Sequence, residues 1–334
     1  MSNGYAWIIF VAAAAISFGL VALLRPLLER HALAQPNARS SHKVATPQGG
    51  GFAVVGAILA IVAGASVLSG GIGDQSLWLV LAATIVIAVV GAIDDVRTIA
   101  VLPRLFLQTV AVAIVIVALP GDLRLVPPLP LWIERALAGL ALLWFVNLVN
   151  FMDGIDWMTV AEVVPATAGL VLFGLRGALP HGATVMALAL GGAVIGFAPF
   201  NRPVARLFLG DVGSLPIGLL LGWLLIELAG AGHLAAALLL PLYYLADATI
   251  TLLRRLANGE PIWQAHRTHF YQRATDNGFS VTQIVGLVFA LNVALIALAA
   301  TTLLTASFIF HFAALIVGCT LVALLLYHFA AAKA

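Results

Sequence analysis

Charge is what this sequence has least of: Asp, Glu, Lys and Arg make up 9% of its 334 residues, against 63% hydrophobic. A chain so poor in charge cannot cover a large water-facing surface, which excludes the soluble and disordered classes. There is one cysteine, so no disulfide framework can form, and nothing is said of redox compartment. Cys319 lies inside an apolar stretch and is expected to be a small core residue. No loop of the GK[ST] type follows the glycines of "PQGGGF" at 47–52, so these are not a nucleotide-binding P-loop; they are expected to let a helix pack closely. Alternating segments of a membrane β-barrel are missing, as are internal repeats. The formal net charge is only +2, which gives no footprint for a nucleic-acid partner.

Long apolar runs are abundant, and the mean hydropathy is +1.10. Eleven stretches of span length lie near 5–24, 50–70, 76–93, 105–119, 132–150, 157–175, 182–198, 213–231, 233–253, 281–303 and 307–330. At about 20 residues each they take up roughly two thirds of the chain and leave no room for a soluble domain. The expected fold is a single all-α polytopic membrane domain over 1–334, with about eleven transmembrane helices. No basic residue precedes the first stretch and Arg25 follows it, which does not match a cleaved signal peptide.

Lys and Arg set the orientation. Thirteen of the 16 fall in the loops near 25–49, 94–104, 199–211 and 254–280 and at the C-terminus, leaving Arg124, Arg135 and Arg176 for the other side. The positive-inside rule then predicts an outward N-terminus and a cytoplasmic C-terminus. On that topology Asp94, Asp95, Asp153, Asp156 and Asp211 all stand at cytoplasmic helix ends, while the outer side keeps a few acids such as Asp74 and Asp122.

Carboxylates are costly in a bilayer, and adjacent ones repel unless a cation relieves them. Acids, amides, Arg and His on one face suit Mg²⁺ and phosphate, because Mg²⁺ favours oxygen ligands. In "NLVNFMDGID" the residues Asn147, Asn150, Asp153 and Asp156 recur every third position, so neighbours share a helix face. Gly154 permits that helix to end. Gly210 and Gly213 flank Asp211 at a helix start, where unbonded amides are expected to meet a phosphate while the carboxylate holds a metal.

"RSSHKVATPQGGGF", "IDDVRTI", "NLVNFMDGID", "GFAPFNRPVARLFLGDVGSLPIG", "YLADATITLLRR" and "AHRTHFYQR" occur in an order that resembles the polyprenyl-phosphate N-acetylhexosamine-1-phosphate transferases, glycosyltransferase family 4. The resemblance covers about 25–275. It implies a multi-pass enzyme of the bacterial inner membrane that moves a sugar 1-phosphate from a UDP-amino sugar to undecaprenyl phosphate. It further implies Mg²⁺ dependence, with Mn²⁺ as a substitute, release of UMP, and a homodimer as one possible assembly. By the same resemblance Asp211 and Asn150 are metal-side residues. Asp94, Asp95, Asp153, Asp156 and His269 form the catalytic set. Asn147, Asn201, Phe208, Arg104 and Arg267 bind substrate, Phe208 by stacking on uracil and Arg104 at the lipid phosphate. Many relatives carry H-x-H-H where this sequence has His269, then Tyr271 and Gln272; that leaves Arg267 and His269 for the diphosphate. The "AHR-x-H-x-YQ" form looks like the branch that starts O-antigen and lipopolysaccharide synthesis.

Other polar residues divide more evenly. Asp247, inside an apolar stretch, is a candidate for function or site support. Ser41, His42 and Lys43 are candidate phosphate contacts, Glu162 is read as structural, and Glu227, His233, His311 and His328 as interfacial or core residues. A secondary transporter also buries charge, but near the midplane rather than at one face.

Overall fold

The computed structural model describes residues 3–34, 45–68, 75–261 and 266–331. Ser41, His42, Lys43 and Asp74 lie outside them. The order is α1 (Asn3–His31), β1 (Leu33–Ala34), β2 (Thr46–Pro47), α2 (Gly51–Leu68), α3 (Gln75–Val96), α4 (Val101–Ala118), α5 (Leu131–Met152), α6 (Met158–Leu175) and α7 (His181–Phe197). There follow α8 (Asp211–Leu228), α9 (Leu234–Leu239), α10 (Leu242–Ala257), α11 (Phe270–Asp276), α12 (Val281–Thr302) and α13 (Phe308–Ala330). The two short strands pair antiparallel, Leu33 opposite Pro47.

All eleven apolar stretches become helix, and among the described residues nine helices are long and apolar enough to cross a membrane. The other two stretches differ. Helix α7 is apolar but only 17 residues long. The stretch expected at 233–253 is broken between α9 and α10 at Leu240 and Pro241, since proline lacks the N–H an unbroken helix needs there. A π-turn over Ala229–His233 joins α8 to α9, with Gly232 at φ 91°, a left-handed backbone that glycine adopts without Cβ strain.

Helix α8 is the axis of the molecule. It is apolar on every side, as a helix buried all round must be, and it packs against α2, α3, α5, α6 and α7. Glycines bring its start close to its neighbours. A Cβ on Gly51 would sit 2.2 Å from the Gly213 nitrogen, and one on Gly91 2.3 Å from the Asp211 carbonyl oxygen. Backbones can approach this closely only where side chains are absent. The "PQGGGF" segment also bonds to the chain before α8: the Phe208 amide donates to Pro47, and the Gly50 and Gly51 amides donate to Phe208 and Leu209.

The ends of α3 and α5 and the starts of α4 and α8 meet at one end of the bundle. The opposite end holds the 119–130 connection, where Arg124 pairs with the buried Glu134 at 2.9 Å and Leu123 packs on Gly230. Glu162 is fully buried and accepts the Asn292 amide at 2.7 Å, a structural role. Cys319, expected in the core, lies on the exposed face of α13, because that terminal helix packs along only one side.

Candidate active site

Two adjacent acids at the end of α3 have separate tasks. Asp95 accepts the Asp211 and Val212 amides at 2.9 and 3.0 Å, capping α8 from another helix. A carboxylate there satisfies two N–H groups and faces the positive end of the helix dipole. Asp94 accepts the Ile99 amide at 2.6 Å and pairs with Arg104 at 2.9 Å. Arg104 also stands 3.9 Å from Asp211. The amides expected to await a phosphate are therefore occupied. Asp95 takes the first two, and Gly213 and Ser214 donate to the Gly210 carbonyl.

From α5, the Asn150 amide donates to Asp211 at 2.7 Å and to Ser214 at 2.9 Å. One turn earlier, the Asn147 amide donates to Gln108 on α4 at 2.9 Å and to its own Leu143 carbonyl at 2.8 Å. His269 precedes α11, with Nδ1 3.2 Å from Asp247, and stacks on His266 with ring centroids 4.9 Å apart. Burial, then the neighbouring His269 and Arg255, lower the His266 pKa to about 4, so it is neutral at pH 7.

These groups border a cavity of about 920 Å³ between α4 and α5. Arg104, Asn147, Asn150, Asp211, His266 and His269 supply its polar lining, and Val101, Leu102, Leu105, Leu140, Leu143 and Trp144 most of its apolar lining. Leu102 and Leu140 are 78% and 65% exposed, so the cavity opens sideways on the outer face of the bundle. A ligand with an anionic head and a long apolar tail fits that polarity.

The other expected residues stand outside this lining. Asp153 ends α5 and accepts the Thr159 hydroxyl. Asp156 is buried and accepts the Ala205 amide at 2.9 Å, tying down the connection before α8. Asn201 does the same work, accepting from the Trp157 amide at 2.8 Å and donating to Leu207 at 3.1 Å. Phe208 is half-buried beside the "PQGGGF" ladder. Arg267 bonds Thr275 at 2.9 Å and pairs with Asp276 at 3.2 Å, along α11.

The structure adds Gln108 and His266 to the site, and it brings Asp247, a candidate for site support from its place in an apolar stretch, against His269. Gln108 and His266 carried no spacing signal beyond a lone amide in an apolar run and a neighbour of His269. Tyr271 is fully buried and donates its hydroxyl to the Phe151 carbonyl at 2.9 Å. A Cβ on Gly154 would meet that hydroxyl at 2.1 Å, so the Tyr271 position and the glycine of "MDGID" are matched.

The donor set fits Mg²⁺. Asp94 lies within hydrogen-bonding reach of Asp211, and Asn150 adjoins both Asp211 and Ser214. No group of three or more His, Cys, Asp and Glu side chains forms a full cage among the described residues. Mg²⁺ commonly takes one or two carboxylates and fills its octahedron with waters and substrate phosphates.

The sequence profile described as glycosyl transferase family 4 matches residues 77–229, from α3 through α8. A probable undecaprenyl-phosphate N-acetylglucosaminyl 1-phosphate transferase of Bacillus subtilis is 27% identical, over 84% of this chain and 83% of its own. A decaprenyl-phosphate N-acetylglucosaminephosphotransferase of Mycobacterium leprae is 28% identical, over 81% and 76%. A phospho-N-acetylmuramoyl-pentapeptide-transferase of a Synechococcus species is 31% identical, over 84% and 87%.

Proposed function

Because the chain belongs to glycosyl transferase family 4, a family of multi-pass membrane phosphoglycosyltransferases, we propose that it moves an N-acetyl amino sugar 1-phosphate from a UDP-sugar to undecaprenyl phosphate. One observation carries this reading: a single cavity sets Asp211, Arg104 and amide side chains beside a largely apolar lining that is open to the side. A polyprenyl phosphate has that polarity, and its tail stays in the bilayer.

An oxygen of the lipid phosphate bonds to the β-phosphorus of the donor. The bond from that phosphorus to the bridging oxygen breaks, and UMP leaves with the electron pair. Both reactants are anions, so the barrier is chiefly electrostatic. Arg104, held by Asp94, offers positive charge at the cavity wall. Phosphate monoesters have a second pKa of about 6, so the nucleophile is mostly ionised at pH 7 without a general base. Asp211 and Asp94, with Asn150, would hold Mg²⁺, which when bound offsets phosphate charge. Asp95 keeps the start of α8, and so Asp211, in place. Phe208 would offer uracil a stacking face.

N-acetylglucosamine, named in two of the relatives, is the first donor sugar to try. The "AHR-x-H-x-YQ" form supports a start to O-antigen synthesis, and the relatives' names support other surface polymers. Membranes incubated with undecaprenyl phosphate and a panel of UDP-amino sugars should release UMP and yield a lipid diphosphate sugar detectable by mass. If no UDP-sugar gives UMP, the reading fails; solute flux in vesicles would favour a transporter instead.

A further inference from the structure

Asp247 is fully buried in α10, where two backbone amides and two hydroxyls donate to it and His269 adjoins it. The Phe270 and Tyr271 amides reach its two oxygens at 3.0 and 3.1 Å, the Thr251 and Tyr243 hydroxyls at 3.3 and 3.2 Å, and His269 Nδ1 at 3.2 Å. Backbone N–H groups are aimed at both of its oxygens, which places Asp247 as an acceptor, so the His269 nitrogen facing it is the one that carries the proton. The ring is clamped further, with His266 on one contact at 4.9 Å and Tyr271 on another at 5.8 Å. Nε2 is the ring nitrogen that remains for the cavity His269 lines.

We propose that Asp247 is a positioning residue, which fixes His269 as the Nδ1–H tautomer and so presents Nε2 to the substrate phosphates. This rests on the transferase reading above. A carboxylate on one nitrogen fixes ring orientation and also supports an imidazolium once a phosphate approaches the other. Capping α11 would require the two amide bonds alone; the His269 contact adds a link from the buried acid to the cavity wall. Asp247 touches no substrate, so its effect on the reaction passes through His269.

The test has two parts. The wild-type protein, labelled with ¹⁵N-histidine in lipid nanodiscs, is studied at pH 8, with the His269 signals identified by their loss in His269→Gln. The expected result is protonated Nδ1 and unprotonated Nε2. A protonated Nε2 would overturn the proposal, and this readout depends on neither activity nor an Asp247 variant. UMP release is then measured for Asp247→Asn, His269→Gln and the double variant. Each single change is expected to lower kcat by about ten-fold to a hundred-fold, the usual effect of losing a partner that orients an active-site histidine. The double variant should be no worse than His269→Gln alone. If the two losses multiply, Asp247 acts through the fold rather than through His269. If the wild-type enzyme makes no UMP at all, the transferase reading fails while the tautomer measurement still judges this proposal.

Discussion

Asp94 and Asp95 are neighbours of the same type, and only their surroundings separate them: one faces Arg104, the other the amides that begin α8. Asp211, between them and Asn150, is where a change of charge should matter most. Asp211→Asn preserves size and can still accept the Asn150 amide, but it removes the charge proposed to hold Mg²⁺. We expect kcat for UMP release to fall by at least about three orders of magnitude, because offsetting phosphate charge is the chief catalytic effect. Excess Mg²⁺ or Mn²⁺ should restore little. Glu227→Gln, at a buried acid near the opposite end of α8, should keep most activity. An Asp211→Asn enzyme within ten-fold of wild type would remove the metal assignment. Phe208 gives a different signature. Base stacking is worth about 1–3 kcal/mol, so Phe208→Ala should raise KM for the UDP-sugar roughly ten-fold to a hundred-fold and spare kcat. A fall in kcat alone would show that the ring serves the ladder to Pro47 and Gly50 instead.

Among the elements, the start of α8 depends on glycines whose role is steric. In Gly91→Ala the new methyl would meet the Asp211 carbonyl at 2.3 Å, and backbone cannot turn aside as a side chain can. Overpacking of this kind costs about 1–3 kcal/mol. A lower midpoint in thermal unfolding of the purified protein, together with lost activity, is the expected outcome. Gly64→Ala on α2 meets nothing within 4 Å and should match or exceed wild type, since alanine favours helix over glycine by about 1 kcal/mol. Equal stability of the two variants would mean that α3 and α8 can separate at no cost. The close packing of "PQGGGF" was legible as a glycine run, but its partner at Gly213 was not. The break at Pro241 was legible as a proline within an apolar stretch, yet hydropathy averaged over a window smooths such a residue away.

On the scale of the whole molecule, orientation rests on the basic residues gathered at the end where the acids meet. Asn258, exposed after α10, and Asp122, exposed beyond α4, stand at opposite ends and allow a direct check. In a Cys319→Ala background, a cysteine at 122 should react with an impermeant thiol reagent added to intact cells. One at 258 should react only after lysis. The reverse pattern would invert the proposed topology.

Composition alone fixed the solvent of this protein, because so few charges cannot face water. The spacing of apolar runs fixed the helices, and the bias of Lys and Arg grouped the acids at one end. Sequence also identified Arg104, Asn147, Asn150, Asp211 and His269, which line the cavity. Tertiary structure alone decided that Asp156 and Asn201 bind backbone, that Arg267 pairs with Asp276, and that Asp95 caps α8. The reason lies in range. Hydropathy and helical period are local sums over neighbours in the chain, whereas a buried carboxylate takes whichever donor the packing brings to it. For Asp95 that donor is 116 residues away, and for Asp247 it is 22.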